Sequence, residues 1–348
     1  DRHGGPRGGP KGGLSGPVHA PPGRAMALEA LATCLDLGRD IQAALDQAIS
    51  RREDADPRDA ALATELSYGC LRRMGRTEFA LSRFLDKPER LPDDVRRILT
   101  LAAHEILNLD RVPFHASVDW GVEAVKSRVE GLAGLANAVL RRVTNLGDEA
   151  EAPEFYAQGA RSEAEAWTRQ YACPRWIVDL WRKAYGPEDA ERLLLAQIRQ
   201  PRLGLCLDPA TLHLDELARD LDAAPGRIDR QGLGWAFTPG ERIEALDHAP
   251  PGSVHRQSFA ARQALLALDP AAWPGPVWDA CAGRGNKTRI LRELGKTVYA
   301  SDVHAGRIRA LRREQPDVPA FLARADRPCP LKAAPGAILL DAPCSGLG

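Results

Sequence analysis

The stretch that decides the fold is Val277-Trp278-Asp279-Ala280-Cys281-Ala282-Gly283-Arg284-Gly285-Asn286-Lys287-Thr288. A short apolar run ends in an acid, small residues and glycines follow, and Thr288 then leads the helix-like run Arg289-Ile290-Leu291-Arg292-Glu293-Leu294. This order reads as strand, turn, helix. Gly283 and Gly285 carry no Cβ, so the backbone can approach a ligand closely there. The N–H groups at the start of the next helix then face that ligand. A second strand-like run, Lys296 to Ser301, is closed by Asp302 at the separation where nucleotide-binding α/β folds place a ribose-binding acid. A third signal is the turn Asp341-Ala342-Pro343-Cys344.

Working outward, strands are expected near 276–281, 296–301, 319–324 and 336–341, with helices between them. That alternation implies a parallel, doubly wound, Rossmann-like sheet with its ligand at the carboxyl ends of the strands. Upstream, the apolar run 202–209 reads as a strand. A helix follows over Leu214 to Leu221, then strand-like pieces near 227–228 and 235–237, together a small α+β subdomain. From Ala25 to Asn145 apolar residues recur at three- and four-residue spacing over 25–50, 58–85, 93–109, 115–128 and 131–145, which predicts an all-α bundle. Pro57 and Pro92 stand at or just before helix starts, and Pro113 marks a connection. Residues 146–170 are acidic and read as a linker running into a helix. Residues 1–24, dominated by Gly and Pro, are expected to be disordered because they have little apolar surface to bury.

Bulk properties narrow the function classes. Lys+Arg and Asp+Glu each number 47 in 348 residues, so no overall positive field holds nucleic acid, and RNA contact must come from local patches. A 44% hydrophobic content fits a soluble protein with real cores. No apolar run reaches the roughly 18 residues of a membrane span, and no signal peptide opens the chain. The 7 cysteines are scattered without a C-x-x-C pair, which argues against a disulfide framework or a metal site and for a reducing, cytoplasmic setting. The chain begins at Asp1 and stops at Gly348 inside an apparent motif, so a fragment is expected.

Particular segments carry a family resemblance. Leu66-Ser67-Tyr68-Gly69-Cys70-Leu71-Arg72-Arg73, Leu101 to Leu107 (L-A-A-H-E-I-L), Val112 to Val118 (V-P-F-H-A-S-V) and Ala136-Asn137-Ala138-Val139-Leu140-Arg141-Arg142 resemble the NusB-type helical domain. That domain precedes the catalytic part of bacterial 16S ribosomal-RNA cytosine-5 methyltransferases of the Sun, or methyltransferase B, type. Pro174-Arg175-Trp176 and Trp181 to Gly186 are similar to further stretches of that family. The resemblance implies a leader over 1–24, a NusB-like RNA-binding bundle over 25–150, linker helices and a small α+β subdomain over 151–272, and an S-adenosylmethionine-binding domain over 273–348, incomplete at its carboxyl end. It also implies ribosomal RNA, of the 16S type, as partner, neither DNA nor membrane, and a monomer. Cys206 and Asp208 stand where the family has an arginine and an asparagine, and Gln257-Ser258 where it has Gln-Asp.

The same resemblance assigns site residues. Asp279 to Thr288 is similar to the family's D-x-C-A-A-P-G-G-K-T loop around S-adenosylmethionine, with Gly283, Arg284 and Asn286 in place of Ala, Pro and Gly. Cys281, Ala282, Gly283, Arg284, Gly285, Asn286 and Lys287 are thereby expected at the cofactor. Asn286 is suited to a left-handed dihedral, and Arg284 is directed at the cofactor's carboxylate or an RNA phosphate. Asp302 with Arg307 matches the family's D-x-x-x-x-R and would serve the ribose, and Asp326 the adenine amino group. Asp341-Ala342-Pro343-Cys344-Ser345-Gly346 resembles the turn of RNA cytosine carbon-5 enzymes, whereas enzymes acting on exocyclic amines carry Asp/Asn-Pro-Pro-aromatic. Carbon 5 of cytosine is a poor nucleophile, so a thiolate must first add to carbon 6 while an acid supports ring nitrogen 3. Asp341 and Cys344 are the catalytic candidates. In the family the attacking cysteine lies in a later T-C motif, expected beyond residue 348, and the cysteine matching Cys344 assists product release. Cys344 as the nucleophile itself is the alternative. A non-catalytic RNA-binding protein is the second functional reading. A methyltransferase of protein or small molecules is the third, which the Asp341 turn disfavours.

Overall fold

The computed structural model describes residues 19–52, 55–328 and 331–342. The chain divides into two compact units, 1–199 and 200–348.

The first unit is helical. Its opening helices are α1 (Pro22–Leu37), α2 (Ile41–Ser50), α3 (Pro57–Ser82), α4 (Asp93–Asn108), α5 (Phe114–Arg128) and α6 (Ala133–Thr144). The expected single helix over 25–50 is two, because Gly38 takes a left-handed conformation (φ 62°) and Asp40 caps the next helix by accepting the Ala43 N–H. Of the leader expected over 1–24, residues 1–18 lie outside the described residues, and its last three belong to α1. Pro22 supplies the preset φ of a first helical turn, and Arg24 donates through Nε at 2.9 Å and Nη2 at 2.6 Å to Glu105. Glu105 is fully buried and also accepts from Ser117 Oγ at 2.7 Å, so the charge taken out of water is paired and hydrogen-bonded. Around it α1 to α6 share one apolar core that includes Met26, Leu31, Leu66, Leu99, Leu101 and Leu140.

Residues 146–170, read as a linker, are folded onto the bundle instead. A 3₁₀ turn (Gly147–Glu151), α7 (Pro153–Ala157) and α8 (Glu163–Gln170) bury Phe155 and Tyr156 against Ala80 and Phe79 of α3. Acidic surface residues had masked these two aromatics, whose ring centroids lie 5.1 Å apart, edge to face. α9 (Arg175–Tyr185) and α10 (Pro187–Ile198) complete the unit.

The second unit holds two sheets. β1 (Leu203–Leu207), β2 (Arg227–Gln231), β3 (Gly234–Phe237) and β4 (Val254–Arg256) form an antiparallel sheet in the order β2-β3-β1-β4, with α11 (Leu214–Ala223) between β1 and β2 in the chain. Leu205, Leu207, Leu217, Leu221, Trp235 and Phe237 make its core. The remaining elements are α12 (Phe259–Leu266), β5 (Val277–Asp279), α13 (Asn286–Glu293), β6 (Val298–Asp302), α14 (Ala305–Glu314), β7 (Ala320–Leu322) and β8 (Ala337–Leu339). Their strands form the expected parallel sheet, in the order β7-β6-β5-β8. β5 comes first in the chain yet lies between β6 and β8. The chain therefore leaves it in both lateral directions, which makes its carboxyl end a topological switch point where such folds bind ligands.

Candidate active site

The site begins with the register of that sheet. Asp279 pairs with Ala300 of β6 on one side and Leu339 of β8 on the other. The acid ending β5, Asp302 ending β6 and Asp341 just past β8 therefore open onto one cleft of ≈ 850 Å³. Cys281, Ala282, Gly283, Arg284, Asn286, Lys287, Asp302, Arg307, Asp326 and Asp341 all line it. Gly285 does not; it lies behind the loop wall. Cys344 lies outside the described residues.

The loop between β5 and α13 is shaped by its glycines. Gly283 (φ 59°) and Gly285 (φ 85°) are both left-handed. A Cβ on Gly283 would meet nothing within 4 Å, so its face stays open. A Cβ on Gly285 would lie 2.4 Å from Gln315 Nε2 and 3.1 Å from Leu311, so this glycine serves packing against α14. Asn286 differs from expectation: it is the first residue of α13, and the left-handed cap before it is Gly285. Two buried glutamines hold the helix start. Gln315 Nε2 donates to the Gly285 carbonyl at 2.9 Å and Gln257 Nε2 to the Asn286 carbonyl at 2.7 Å. Neither glutamine was assigned a role from the sequence. Gln315 is thirty positions from its partner and belongs to no motif, and Gln257 stood out only as half of a Gln-Ser pair where the family has Gln-Asp.

The carboxylates behave differently from one another. Asp302 Oδ2 accepts the Gly283 N–H at 3.0 Å and Oδ1 the His304 N–H at 2.8 Å, while Arg307 Nη1 stands 3.6 Å from Oδ2. Asp302 therefore shapes the loop as well as facing the cleft. Asp279 is fully buried. Its Oδ2 accepts from Thr288 Oγ1 at 2.7 Å, while Oδ1 has no hydrogen-bond partner. Burial pushes its carboxyl up to about 6; the Thr288 hydrogen bond opposes that, Asp341 adds to it, and Lys287 opposes it. Lys287 Nζ is hydrogen-bonded to Asp341 Oδ2, which ties the loop to the end of β8. Arg284, expected at an anion, is instead paired with Glu314 of α14. Asp326 is exposed on the cleft wall and paired with Arg324 at 2.9 and 2.7 Å, and the Arg324 hydrogen bond holds its carboxyl below the usual range.

None of the free cysteines among the described residues is poised as a thiolate. Burial pushes Cys70 up to about 12 and Cys173 and Cys206 to about 11. Burial also raises Cys34 and Cys281, with Asp40 adding to it at the first and Asp302, Asp279 and Asp341 at the second. Cys281 is thus a wall of the cleft surrounded by negative charge, the reverse of a nucleophile's setting.

Comparison with known proteins shows the family and the fold. The NusB family model matches residues 22–145, the span of α1 to α6. The ribosomal RNA small subunit methyltransferase B of Thermus thermophilus is 35% identical over 332 residues, which cover 93% of this chain and 71% of that protein. The chain belongs to the ribosomal RNA small subunit methyltransferase B family. Members from Xanthomonas campestris (31% identical; 93% of this chain, 73% of that protein) and Vibrio cholerae (30%; 93% and 74%) carry the same name. The structure solved as "Crystal Structure of PH0851" superposes with a TM-score of 0.56 at 18% identity, over 88% of this chain and 70% of that one, and shows the shared fold. Within this methyltransferase B architecture, the cleft at the ends of β5, β6 and β8 is the candidate active site.

Proposed function

We propose that this chain is an S-adenosylmethionine-dependent methyltransferase of ribosomal RNA that modifies carbon 5 of a cytosine in the small-subunit (16S) RNA. The observation that carries the reading is the convergence on one cleft of the glycine loop, the buried Asp302 and Asp341. The donor set suits this cofactor: an open glycine face, a carboxylate at the end of β6, and an unsatisfied carboxyl oxygen on Asp279. Cys281, Ala282, Gly283, Asn286, Lys287, Asp302, Arg307 and Asp326, which line the cleft, would hold S-adenosylmethionine, which supplies a methyl group made electrophilic by its sulfonium.

The chain's own residues prepare the rest. Asp302 has a second lone pair on each oxygen for ribose hydroxyls while its first pairs hold the loop. Asp341 sits beside an ammonium, Lys287, that keeps a proton next to its carboxylate; this pair would support charge at ring nitrogen 3 of the pyrimidine. Of the cleft's residues Cys281 is unsuited to attack carbon 6, since burial and then Asp302 raise its pKa; that role would fall to the cysteine of the family's later T-C motif, with Cys344 as the alternative. The helical unit would bring the RNA, and a base in a helix must be unstacked before carbon 5 is reached. Scattered cysteines without a C-x-x-C pair favour a reducing, cytoplasmic setting; among the described residues no helix is long and apolar enough to cross a membrane.

The test is calorimetric titration with S-adenosylmethionine, followed by bisulfite mapping of small-subunit RNA incubated with the protein and the donor. Binding with one new 5-methylcytosine is the expected result. Absence of donor binding, or binding with methylation at an exocyclic amine, would overturn it.

A further inference from the structure

The residue that departs furthest from the family loop is Arg284, which replaces a proline whose ring would fix the backbone by itself. The side chain is 62% exposed, and an isolated surface ion pair of this kind would add little. Its partner is not isolated. Glu314, 19% exposed, bonds to Arg284 Nη2 through Oε1 and turns Oε2 toward Arg289 Nη2 at 3.9 Å. Arg289 is 2% exposed, and neither of its Nη atoms has a hydrogen-bond acceptor. Its positive charge is balanced by Glu314 and, through Nε at 3.5 Å, by Asp208 at the end of β1. His255 Nε2 is 3.8 Å from the same Asp208 oxygen, but burial first, then Arg289, holds that imidazole below its ordinary pKa. Asp208 itself stands where the family carries an asparagine. Two positions that depart from the family pattern, 208 and 284, thus end one continuous chain of charges, Arg284–Glu314–Arg289–Asp208.

We propose that this chain is an electrostatic brace that fixes the glycine loop and thereby sets donor affinity, Arg284 and Glu314 acting as positioning residues. The loop rests on a charge pair anchored to a buried guanidinium, at the position where the family pattern has a proline. Its order therefore depends on ionic strength. The link to donor affinity rests on the proposed donor site; the effect on loop order does not.

The test is hydrogen–deuterium exchange of the peptide spanning 281–288 in the whole chain, as wild type, Arg284→Gln, Arg284→Lys and Glu314→Gln, at about 50 mM and about 1 M salt, where screening lengths differ severalfold. Each protein is also titrated with S-adenosylmethionine. Arg284 lies at the surface, so its variants fold whatever becomes of Glu314→Gln. At low salt Arg284→Gln should speed loop exchange and weaken donor binding by roughly twofold to fivefold, and Arg284→Lys should restore most of both. Wild type at high salt should approach Arg284→Gln. Loop exchange unchanged in Arg284→Gln overturns the brace. So does faster exchange with unaltered donor affinity in a wild type that binds. Faster exchange with no donor binding by wild type leaves the brace standing and removes the donor reading instead.

Discussion

At the residue scale, the aspartates of the cleft make separable predictions. Asp302 accepts two backbone amides besides facing the cleft, so Asp302→Ala should lose both loop order and a ligand partner. Donor affinity should fall by about 1–3 kcal/mol, read by calorimetry, with Asp302→Asn intermediate because it keeps one acceptor. Asp279 gives a pH signature. Its folded carboxyl titrates near 6 rather than at its usual value of 3.8, so the folded chain holds the proton more tightly than the unfolded one. The sign follows from linkage: the stabilisation is complete below the unfolded pKa and is lost as pH rises through about 6, a swing on the order of 2–3 kcal/mol. Asp279→Asn cannot lose it. Its melting temperature relative to wild type should therefore climb between about pH 4.5 and pH 7.5; a constant difference would count against the buried, unpaired carboxyl. At this scale the sequence was informative for the loop residues and aspartates that line the cleft, and not for Arg262 or Val303, which line it as well. It was silent for Gln315 and Glu314, which act on the loop from behind and follow no pattern along the chain.

At the element scale, helix and strand positions were legible because periodicity records burial. The parallel strands fall inside the spans expected of them or, at β6, run one residue past, since Val277, Val298 and Ala300 are apolar residues facing a core between two strand neighbours. β4 was not anticipated: Val254-His255-Arg256 has one apolar residue, and its pairing with β1 decides its state. The break at Gly38 was missed because Ala and Leu continue on both sides of it. Helix spacing gives a test in the bundle. A Cβ at Gly69 of α3 would lie 2.7 Å from Nε2 of His104 on α4, an imidazole 1% exposed and kept neutral by burial, its pKa lowered to about 3. Gly69→Ala should cost about 1–3 kcal/mol through overpacking, measured by urea unfolding. Wild-type stability would show that the helices can part there without penalty.

For the whole molecule, each unit has its own apolar core, one shared by α1 to α6 and others built on the two sheets. Calorimetry should accordingly resolve two unfolding transitions. S-adenosylmethionine at about a hundredfold excess over its Kd should raise only the one belonging to residues 200–348, by about 2.7 kcal/mol of added stability. A shift of both together would mean the units unfold as one. Charge is balanced at 47 against 47, so RNA affinity should be steep in salt only to the extent that a few arginines meet phosphates. The fold class was legible at this scale because two different periods, helical before residue 145 and strand–helix alternation after 276, cannot belong to one layer. The extension of the helical unit to residue 199 was not, since Phe155 and Tyr156 are too few to leave a period.

Trp278 lies on β5 beside Asp279, buried, with its indole N–H donating to Ser301 Oγ at 3.0 Å. Of the 7 tryptophans in the chain it alone precedes the carboxylate that ends that strand. A protein keeping this indole and replacing the other six would carry its own optical gauge, its emission following proton uptake and cofactor entry at a single address without any added label.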